Sequence, residues 1–334
     1  MRPSYRPRLV NGPFGDPGLY LAFQLQNRAL LFDLGDISAL SSRDILKVSH
    51  VFVSHTHMDH FIGFDRLLRL SLGRSKKLHL YGPAGFQENV RGKLAAYTWN
   101  LVQRYENPLA LHVTEVRPQS RLHAVYRCRD RFRPAEIREQ ATCDRTLVSE
   151  PAFTVSAAIL DHGTSCLGFS VKERFHINIL KARLDELGLP VGPWLGTFKR
   201  AVFSQAPPDT PIQIAGGGSA RAGRAPALGD LLPQIARVTP GQKVTYITDV
   251  GHTSSNATRI VELAQDSDHL FIEAAFADAH ARLAAAKHHL TAGQAGRLAA
   301  RAHVKRLTVF HFSPRYTGRG VLLEKEALAA FEQG

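Results

Sequence analysis

A ten-residue segment with three histidines and one aspartate directly follows a short apolar run. The run is Val51–Val53, typical of a buried strand, and the segment Ser54–Gly63 reads Ser-His-Thr-His-Met-Asp-His-Phe-Ile-Gly. Its polar cluster consists of His55, His57, Asp59 and His60. Imidazole nitrogens and carboxylate oxygens are ligands that a divalent ion such as zinc prefers. In an extended chain the first two histidines point the same way and can hold one ion. The aspartate and third histidine, at the following turn, can reach a second ion. The alternative is a polar loop that is rich in histidine by accident.

The order His-x-His-x-Asp-His after a strand resembles the metallo-β-lactamase superfamily of hydrolases. That resemblance implies an α/β fold, a four-layer αβ/βα sandwich, with three further ligands downstream, each at the end of a strand. The chain supplies three candidates: His162 after a strand-like segment, Asp249 after the β-branched run 244–248, and His311 after the run 307–310. A single histidine at a strand end is more often structural, but four such clusters in the expected order predict two bound metal ions.

The predicted ions are two zinc ions, with manganese or another divalent ion as the alternative. The expected ligands of the first ion are His55, His57 and His162. Those of the second are Asp59, His60 and His311, and Asp249 is expected to bridge the two ions.

Composition restricts the class of protein and of partner. The chain has 334 residues, of which 44% are hydrophobic, enough for a large core. We expect no membrane association, because no apolar run is long enough to span a bilayer and the first residues lack the apolar core of a signal peptide. The three cysteines are scattered, which favours reduced thiols in a cytoplasmic protein. A formal net charge of +13 favours nucleic acid as a partner, although many basic proteins bind none.

Strands and helices alternate along the chain. We predict a single hydrolase domain over residues 1–334, with an arginine-rich insertion at about 117–150 and an arm or flexible loop at about 172–242. Apolar residues at helical spacing predict a helix over Phe61–Leu72 that carries His60 into the site. A second helix is predicted from about Gly85 to Arg104.

Two segments interrupt this alternation. The segment Arg117–Arg145 contains Tyr126, Phe132 and eight arginines, and it has two interpretations that remain open. One is a surface insertion that touches phosphates and stacks on bases; the other is an edge hairpin whose arginines are partly neutralised by neighbouring acidic residues. The segment Ile212–Gly229 contains Gly216–Ser219, with Arg221 and Arg224 following. It is interpreted as a mobile loop rather than a phosphate cradle, because no strand-to-helix context accompanies it.

Within the superfamily the chain resembles ribonuclease Z, the endonuclease that processes tRNA 3′ ends. The resemblance covers most of the chain unevenly, and the segments that match include Leu187–Gly196, Leu270–Phe276, His289–Ala292 and His311–Tyr316. The first is similar to the Gly-Pro region of the family's tRNA-clasping arm, and the second to its His-Glu-Ala-Thr motif. The chain departs from the family at its amino terminus, where Leu9–Pro17 replaces the family's usual loop.

The resemblance implies roles for further residues. His289 would protonate the leaving group while Glu273 holds its imidazole, and Asp59 is counted as both ligand and catalytic residue. Ser313 and Arg315 would hold the non-bridging phosphate oxygens, a geometry that suits a bidentate guanidinium. The nucleophile would be a water or hydroxide between the two ions.

Three functions remain open on these grounds. The first is an endoribonuclease that cleaves structured RNA, with a tRNA precursor as the expected partner. The second is a phosphodiesterase with the same site chemistry acting on a small molecule or cyclic nucleotide. The third is a basic RNA-binding protein with a structural metal site, but such a site needs four ligands rather than seven. The sequence also leaves a homodimer open.

Overall fold

The computed structural model describes residues 5–24, 26–107, 109–214 and 225–334. The glycine-rich stretch 216–219, together with Arg221 and Arg224, therefore lies outside the described residues. The chain forms two compact units. The larger contains Tyr5–Leu147, Ser156–Ser170 and Lys243–Gly334, and the smaller contains Val148–Val155 and Val171–Gln242.

The first sheet has eight strands, in the same order as in the chain. These strands are β1 (Tyr5–Leu9), β2 (Leu19–Phe23), β3 (Ala29–Phe32), β4 (Val48–Phe52), β5 (Lys76–Gly82), β6 (Leu109–Val116), β7 (Ser120–Arg127) and β8 (Pro134–Ala141). The four central strands β3–β6 run parallel, and antiparallel strands flank them on both sides. The arginine-rich segment is therefore largely the β7–β8 hairpin, at one edge of this sheet.

The second sheet has six strands in the order β16-β15-β14-β11-β10-β9. Their bounds are β9 (Thr146–Ser149), β10 (Phe153–Asp161), β11 (Ser165–Glu173), β14 (Lys243–Ile247), β15 (His269–Glu273) and β16 (Leu307–Phe310). The last three are parallel neighbours, with Ile247 opposite Ile272 and Ile272 opposite Val309. Because parallel strands end at the same edge, residues that follow β14, β15 and β16 lie close together.

Successive side chains along a strand point to opposite faces of its sheet, so each sheet of the larger unit packs on both faces and four layers result. Phe32 and Phe52 of the first sheet contact Phe169 of the second, with ring centroids 5.7 and 5.6 Å away, so these faces pack together. Their strand neighbours Leu31 and Val51 belong to a separate buried cluster. This cluster includes side chains of α3 (Phe64–Ser71) and α4 (Phe86–Ala95).

The outer face of the second sheet is covered in the same way. Ile247 and Ile272 pack in a buried cluster with side chains of three helices. These helices are α8 (Ser254–Ala264), α10 (Ala292–Arg301) and α11 (Gly320–Glu332). The order helix, sheet, sheet, helix is that of the predicted αβ/βα sandwich.

The helix predicted over residues 61–72 is in fact two helices. His60 lies in α2 (Met58–Phe61), and α3 begins only after Gly63. The backbone N–H of Gly63 donates to the carbonyl oxygen of Leu34 at 2.8 Å, and a side chain on Gly63 would overlap the carbonyl oxygen of Gly35. This close backbone approach, invisible in the helical pattern, is what separates the two helices.

The predicted helix 85–104 is also shorter than expected. It ends at Ala95, and only a 3₁₀ turn at Val102–Arg104 follows. The remaining helices of the larger unit are α1 (Ser42–Lys47) and α9 (Ala281–Ala286), with further 3₁₀ turns at Cys128–Asp130, Asp278–His280 and Pro314–Tyr316.

The smaller unit contains most of the segment predicted as an arm. It holds the antiparallel pair β12 (Phe175–Ile179) and β13 (Ala236–Pro240) and the helices α5 (Lys181–Glu186), α6 (Trp194–Phe203) and α7 (Leu228–Ile235). Trp194, Phe198 and Leu231 pack in its own buried cluster. Across both units, none of the described helices combines the length and apolar character that crossing a bilayer requires.

Candidate metal centre

The predicted ligands lie in loops that directly follow strands of the larger unit. His55 comes after β4, His162 after β10, Asp249 after β14 and His311 after β16. Asp249 and His311 have positive φ angles of 33° and 60°, which non-glycine residues rarely adopt. Such strained backbone is common where a side chain must be held in a functional position.

Four of these residues form a first cluster. Ligand atoms of His55, His57, His162 and Asp249 all lie within 4.8 Å of one another. The rings of His55 and His57 are 4.3 Å apart, and Nε2 of His162 lies 3.5 Å from Oδ2 of Asp249. The structure therefore brings together the three histidines expected around the first ion.

A second cluster lies on the other side of Asp249. Asp59, His60 and His311 also offer ligand atoms within 4.8 Å of one another. Oδ2 of Asp59 lies 3.5 Å from Nε2 of His60 and 3.3 Å from Nε2 of His311. Asp249 reaches both clusters, because its Oδ2 is 3.7 Å from His55 Nε2 and 3.3 Å from His60 Nε2. This is the position that a bridging carboxylate needs.

The histidine tautomers fit a pair of divalent ions. His162 Nδ1 lies 2.7 Å from the carbonyl oxygen of His288, so Nδ1 carries the proton and Nε2 keeps its lone pair. The buried Nε2 atom of His55 makes no hydrogen bond within the described part of the chain. An unpartnered nitrogen in a dry site is costly unless a ligand takes it up, and a cation directed at its lone pair would do so.

The pKa shifts of the residues in this centre also favour the binding of divalent cations. Burial lowers the pKa of His55 to about 2, so its imidazole is neutral and able to bind a metal. Burial also opposes protonation of His60, yet the nearby carboxylates of Asp249 and Asp33 raise its pKa to about 10. For Asp59, burial favours the neutral acid, but the hydrogen bond from His311 and the charge of His60 lower its pKa to about 2. The carboxylates of this centre thus stay ionised and demand positive charge, which divalent ions supply.

Asp33 is a component that the sequence reasoning missed. It follows β3, is fully buried and has a φ of 58°. Its carboxylate lies 3.1 Å from His60 Nδ1 and accepts hydrogen bonds from the Ser54 backbone N–H at 2.6 Å and the Tyr246 hydroxyl at 3.0 Å. Asp33 therefore orients the His60 ring. The available signal was an aspartate at a strand end, the same signal that identified Asp249.

His289 and Glu273 form a hydrogen-bonded pair beside the clusters. His289 Nδ1 lies 2.9 Å from Oε2 of the fully buried Glu273, and the His289 ring is 4.8 Å from that of His162. Burial acts to lower the pKa of His289, but the Glu273 carboxylate raises it overall. Glu273 could itself join a metal-binding group with Asp249, His289 and His311. However, its oxygens are already engaged by His289 and by two backbone N–H groups.

The two residues predicted to bind phosphate lie on the turn after His311. The Ser313 backbone N–H donates to the carbonyl oxygen of Ala275 at 3.1 Å, which fixes the start of this turn. Arg315 is exposed, and its guanidinium makes none of the described hydrogen bonds. The geometry leaves that guanidinium available to a ligand.

Known proteins resemble this chain in sequence. It is 31% identical to "Ribonuclease Z" of Deinococcus radiodurans over 299 residues, which cover 86% of this chain and 83% of that protein. It is 29% identical to "Ribonuclease Z" of Lactiplantibacillus plantarum over 317 residues, covering 92% of this chain and 84% of the relative. No family model matches the chain.

Solved structures resemble it in fold. The metallo-β-lactamase fold protein YhfI from Bacillus subtilis has a TM-score of 0.55 at 16% identity and covers 98% of this chain and 94% of its own. The short form of human tRNase Z has a TM-score of 0.50 at 18% identity, with coverages of 94% and 93%. The predicted metallo-β-lactamase fold is confirmed.

Proposed function

We propose a function from the premise that the chain belongs to the ribonuclease Z family: it is a metal-dependent endoribonuclease that cleaves precursor tRNA at its 3′ end. The family predicted from the sequence motifs is confirmed by the relatives. The main support for this activity is the pair of histidine–aspartate clusters that share Asp249.

The donor set suits two zinc ions, with manganese as the alternative. Five imidazoles and two carboxylates converge there, a nitrogen-rich set that zinc favours. We assign His55, His57 and His162 to one ion and Asp59, His60 and His311 to the other, with Asp249 shared. When bound, the ions stabilise negative charge on phosphoryl oxygens and lower the pKa of a water molecule.

His289 is proposed to protonate the departing oxygen. A ribose 3′-oxygen leaves as the P–O bond breaks, and it needs a proton because an alkoxide is a poor leaving group. Nδ1 of His289 donates to Glu273, so Nε2 is the atom that delivers the proton. The carboxylate of Glu273 raises the pKa of His289, and this keeps more of the imidazole protonated near neutral pH.

RNA as the substrate is supported by charge. The formal net charge of +13 favours a polyanion, and the β7–β8 hairpin concentrates arginines at a sheet edge. We further propose that residues 1–334 form one hydrolase domain, with the segment of about 172–242 as an arm that contacts tRNA. A cytoplasmic location is proposed from the three free cysteines.

The test is incubation of zinc-loaded protein with an end-labelled precursor tRNA. A single cut that leaves a 3′-hydroxyl on the tRNA is expected, with loss of the product in chelator and its return on adding zinc. The His289→Ala protein serves as the control for contaminating nuclease. A cyclic nucleotide is offered in parallel. Hydrolysis of the cyclic nucleotide without cleavage of the tRNA would replace the endoribonuclease by a small-molecule phosphodiesterase.

A further inference from the structure

A surface cavity of about 310 Å³ lies in the larger unit, and none of the candidate metal ligands lines it. Ala157, Ala158 and Ile159 of β10 are among the residues that line it. Four arginines line it, and we call it the arginine pocket. Three come from the arginine-rich segment and one from α8: Arg117, Arg121, Arg145 and Arg259. A concave site with this density of guanidinium groups is suited to an anion.

The four guanidinium groups are not equally neutralised. Arg117 pairs with Glu115 at 2.8 Å, and Arg145 pairs with Glu262 at 2.9 Å. Arg121, in contrast, donates to the carbonyl oxygen of Asp144 at 2.6 Å. Arg259 donates to that of Ile159 at 2.7 Å. A carbonyl oxygen orients a guanidinium without cancelling its charge, and each guanidinium has five N–H donors. Arg121 and Arg259 are therefore held in position. Each keeps its positive charge and has further N–H donors for an anionic ligand.

The acidic residue that lines the pocket, Asp144, uses one of its carboxylate oxygens in a turn. Asp144 Oδ1 accepts the backbone N–H of Thr146 at 2.8 Å, and this hydrogen bond holds the pKa of Asp144 below its usual range. Its carboxylate thus stabilises the turn that places Arg145. Its charge also attracts the Arg121 guanidinium, but the hydrogen bond from Arg121 goes to the main chain of Asp144.

The pocket and the candidate metal centre are connected through strand β10. Ile159, which lines the pocket, precedes the candidate ligand His162 by three residues. At ~3.3 Å per strand residue this is a separation of roughly 10 Å along the chain. Because a nucleic-acid duplex rises by ~3.4 Å per nucleotide along its axis, a separation of this size corresponds to a few nucleotides.

We propose that the arginine pocket binds a backbone phosphate of the RNA substrate, a few nucleotides away from the phosphate that is cleaved. This inference rests on the proposed function and adds to it a second point of attachment. The pocket provides charge and donors but no site for reading a base, so it holds the strand irrespective of its sequence.

The structure separates the pocket arginines from others in the same segment. Arg129 and Arg131 lie at the far end of β7, around the 3₁₀ turn 128–130. The Arg129 guanidinium donates to the carbonyl oxygens of Tyr105 and Glu106 at 3.3 and 2.7 Å. These bonds tie the turn to a neighbouring loop. Sequence alone treats the eight arginines as one cluster, and it does not associate Arg259 with them.

The first experiment measures the affinity for precursor tRNA over a range of salt concentrations. The pocket variant is Arg121→Gln/Arg259→Gln. The control variant, Arg43→Gln/Arg69→Gln, removes the same charge from two exposed arginines that lie outside the arginine-rich segment and do not line the pocket. The pocket variant is expected to bind at least fivefold more weakly at low salt. Its slope of log K against log salt should be shallower by about 0.7–0.9 for each phosphate that is no longer neutralised. The control should keep the wild-type slope.

Cleavage is measured alongside binding, so that the two proposals can fail separately. Equal slopes for the pocket and control variants would overturn the pocket while leaving the proposed function intact. A changed slope in a protein that never cleaves the tRNA would support the pocket and overturn the proposed function. Turnover of a bis-nitrophenyl phosphodiester, expected to be unchanged in both variants, shows that each protein is folded and has an intact centre.

The second experiment uses a cysteine as a reporter. Cys143 lines the pocket and is exposed, whereas Cys128 and Cys166 are 1% and 0% exposed, so N-ethylmaleimide should label Cys143 selectively. Precursor tRNA should slow this labelling several-fold in the wild type and much less in the pocket variant. Equal labelling with and without tRNA contradicts the proposal. Protection by millimolar inorganic phosphate but not by tRNA would assign the pocket to a small free anion instead.

Discussion

The buried carboxylate of Glu273 lies 2.9 Å from Nδ1 of His289 and is fixed by two backbone N–H groups. These belong to Val250, at 2.7 Å, and Leu290, at 3.3 Å. Val250 directly follows the shared carboxylate Asp249, and Leu290 directly follows His289. One carboxylate thereby links the candidate proton donor to the loop that carries the shared metal ligand. The position of His289 relative to the metal centre is therefore set by the fold.

His289→Ala should impair the chemical step without removing metal. Loss of a general acid typically costs ~10²–10⁴ in rate. The loss should be large on RNA, whose 3′-oxygen needs a proton, and mild on a nitrophenyl phosphodiester, whose leaving group departs as an anion. Steady-state rates on both substrates and zinc content by elemental analysis test this. Equal damage on both substrates, or loss of zinc, would show that His289 is not the proton donor.

Glu273→Gln should change the pH profile of RNA cleavage. Because the Glu273 carboxylate raises the pKa of His289, removing its charge should lower that pKa. Cleavage needs the protonated imidazole, so the alkaline fall in rate should begin at a lower pH in the variant. A rate–pH profile of each protein measures the shift. An unchanged alkaline limb with a uniformly lower rate would indicate a purely structural role.

Asp249→Ala should reduce zinc binding at both sites, because Asp249 reaches both clusters. The wild type is expected to hold about two zinc ions per chain. His57→Ala, which alters only the first cluster, should retain the second ion. Elemental analysis after zinc loading and gel filtration measures the content. A wild-type content of one ion or none contradicts the proposed pair.

Asp33→Asn should weaken zinc binding although Asp33 belongs to neither cluster. It removes the charge that orients His60 through Nδ1, and loss of such a partner typically costs ~10–100-fold in affinity. Tyr246→Phe, which deletes only the hydroxyl that bonds to Asp33, is the matched control and should change the affinity much less. Competition with a zinc chelator gives both values. Similar affinities for Asp33→Asn and the wild type would exclude an orienting role.

Gly63→Ala should destabilise the fold where α2 meets α3. The added methyl group would overlap the carbonyl oxygen of Gly35, and overpacking of this kind costs ~1–3 kcal/mol. Gly92→Ala in α4 is the control, since nothing lies within 4 Å of the position that its new methyl group would take and alanine favours a helix. Urea unfolding should show a lower midpoint for the first variant and an equal or higher one for the second. Equal midpoints for Gly63→Ala and the wild type contradict the prediction.

His50 should make stability depend on pH below about 6.5. Burial, then the neighbouring His79 and Arg28, lower its pKa from 6.5 to about 3. A group whose pKa is lower in the folded state destabilises the fold as pH falls, because the unfolded chain takes up the proton first. At pH 5.5 this loss of folding free energy is on the order of 1 kcal/mol relative to neutral pH. When the pH falls from 7.5 to 5.5, the free energy of unfolding of His50→Gln should therefore decrease less than that of the wild type, by that amount. Urea unfolding at pH 7.5 and 5.5 measures it, and identical pH dependence would refute the assignment.

The sequence by itself determined the fold family and named the residues of the candidate centre. The reason is that a strand and the residue after it are adjacent in the chain, so a strand-end ligand is visible as a local pattern. His55, His162, Asp249 and His311 each follow an apolar run, and the parallel pairing of β14, β15 and β16 brings Asp249 and His311 to one edge of their sheet. Glu273 and His289 came from the family resemblance, and the structure finds them in hydrogen-bonding contact.

Only the tertiary structure decided how distant segments meet. The hydrogen bond from Ser54 to Asp33 joins residues 21 positions apart, and the break at Gly63 depends on the backbone near Gly35. The arginine pocket likewise needs Arg259 from a helix far along the chain. These features arise from close packing between elements, and packing depends on which strands are neighbours and in what register. No local pattern of residues encodes that information.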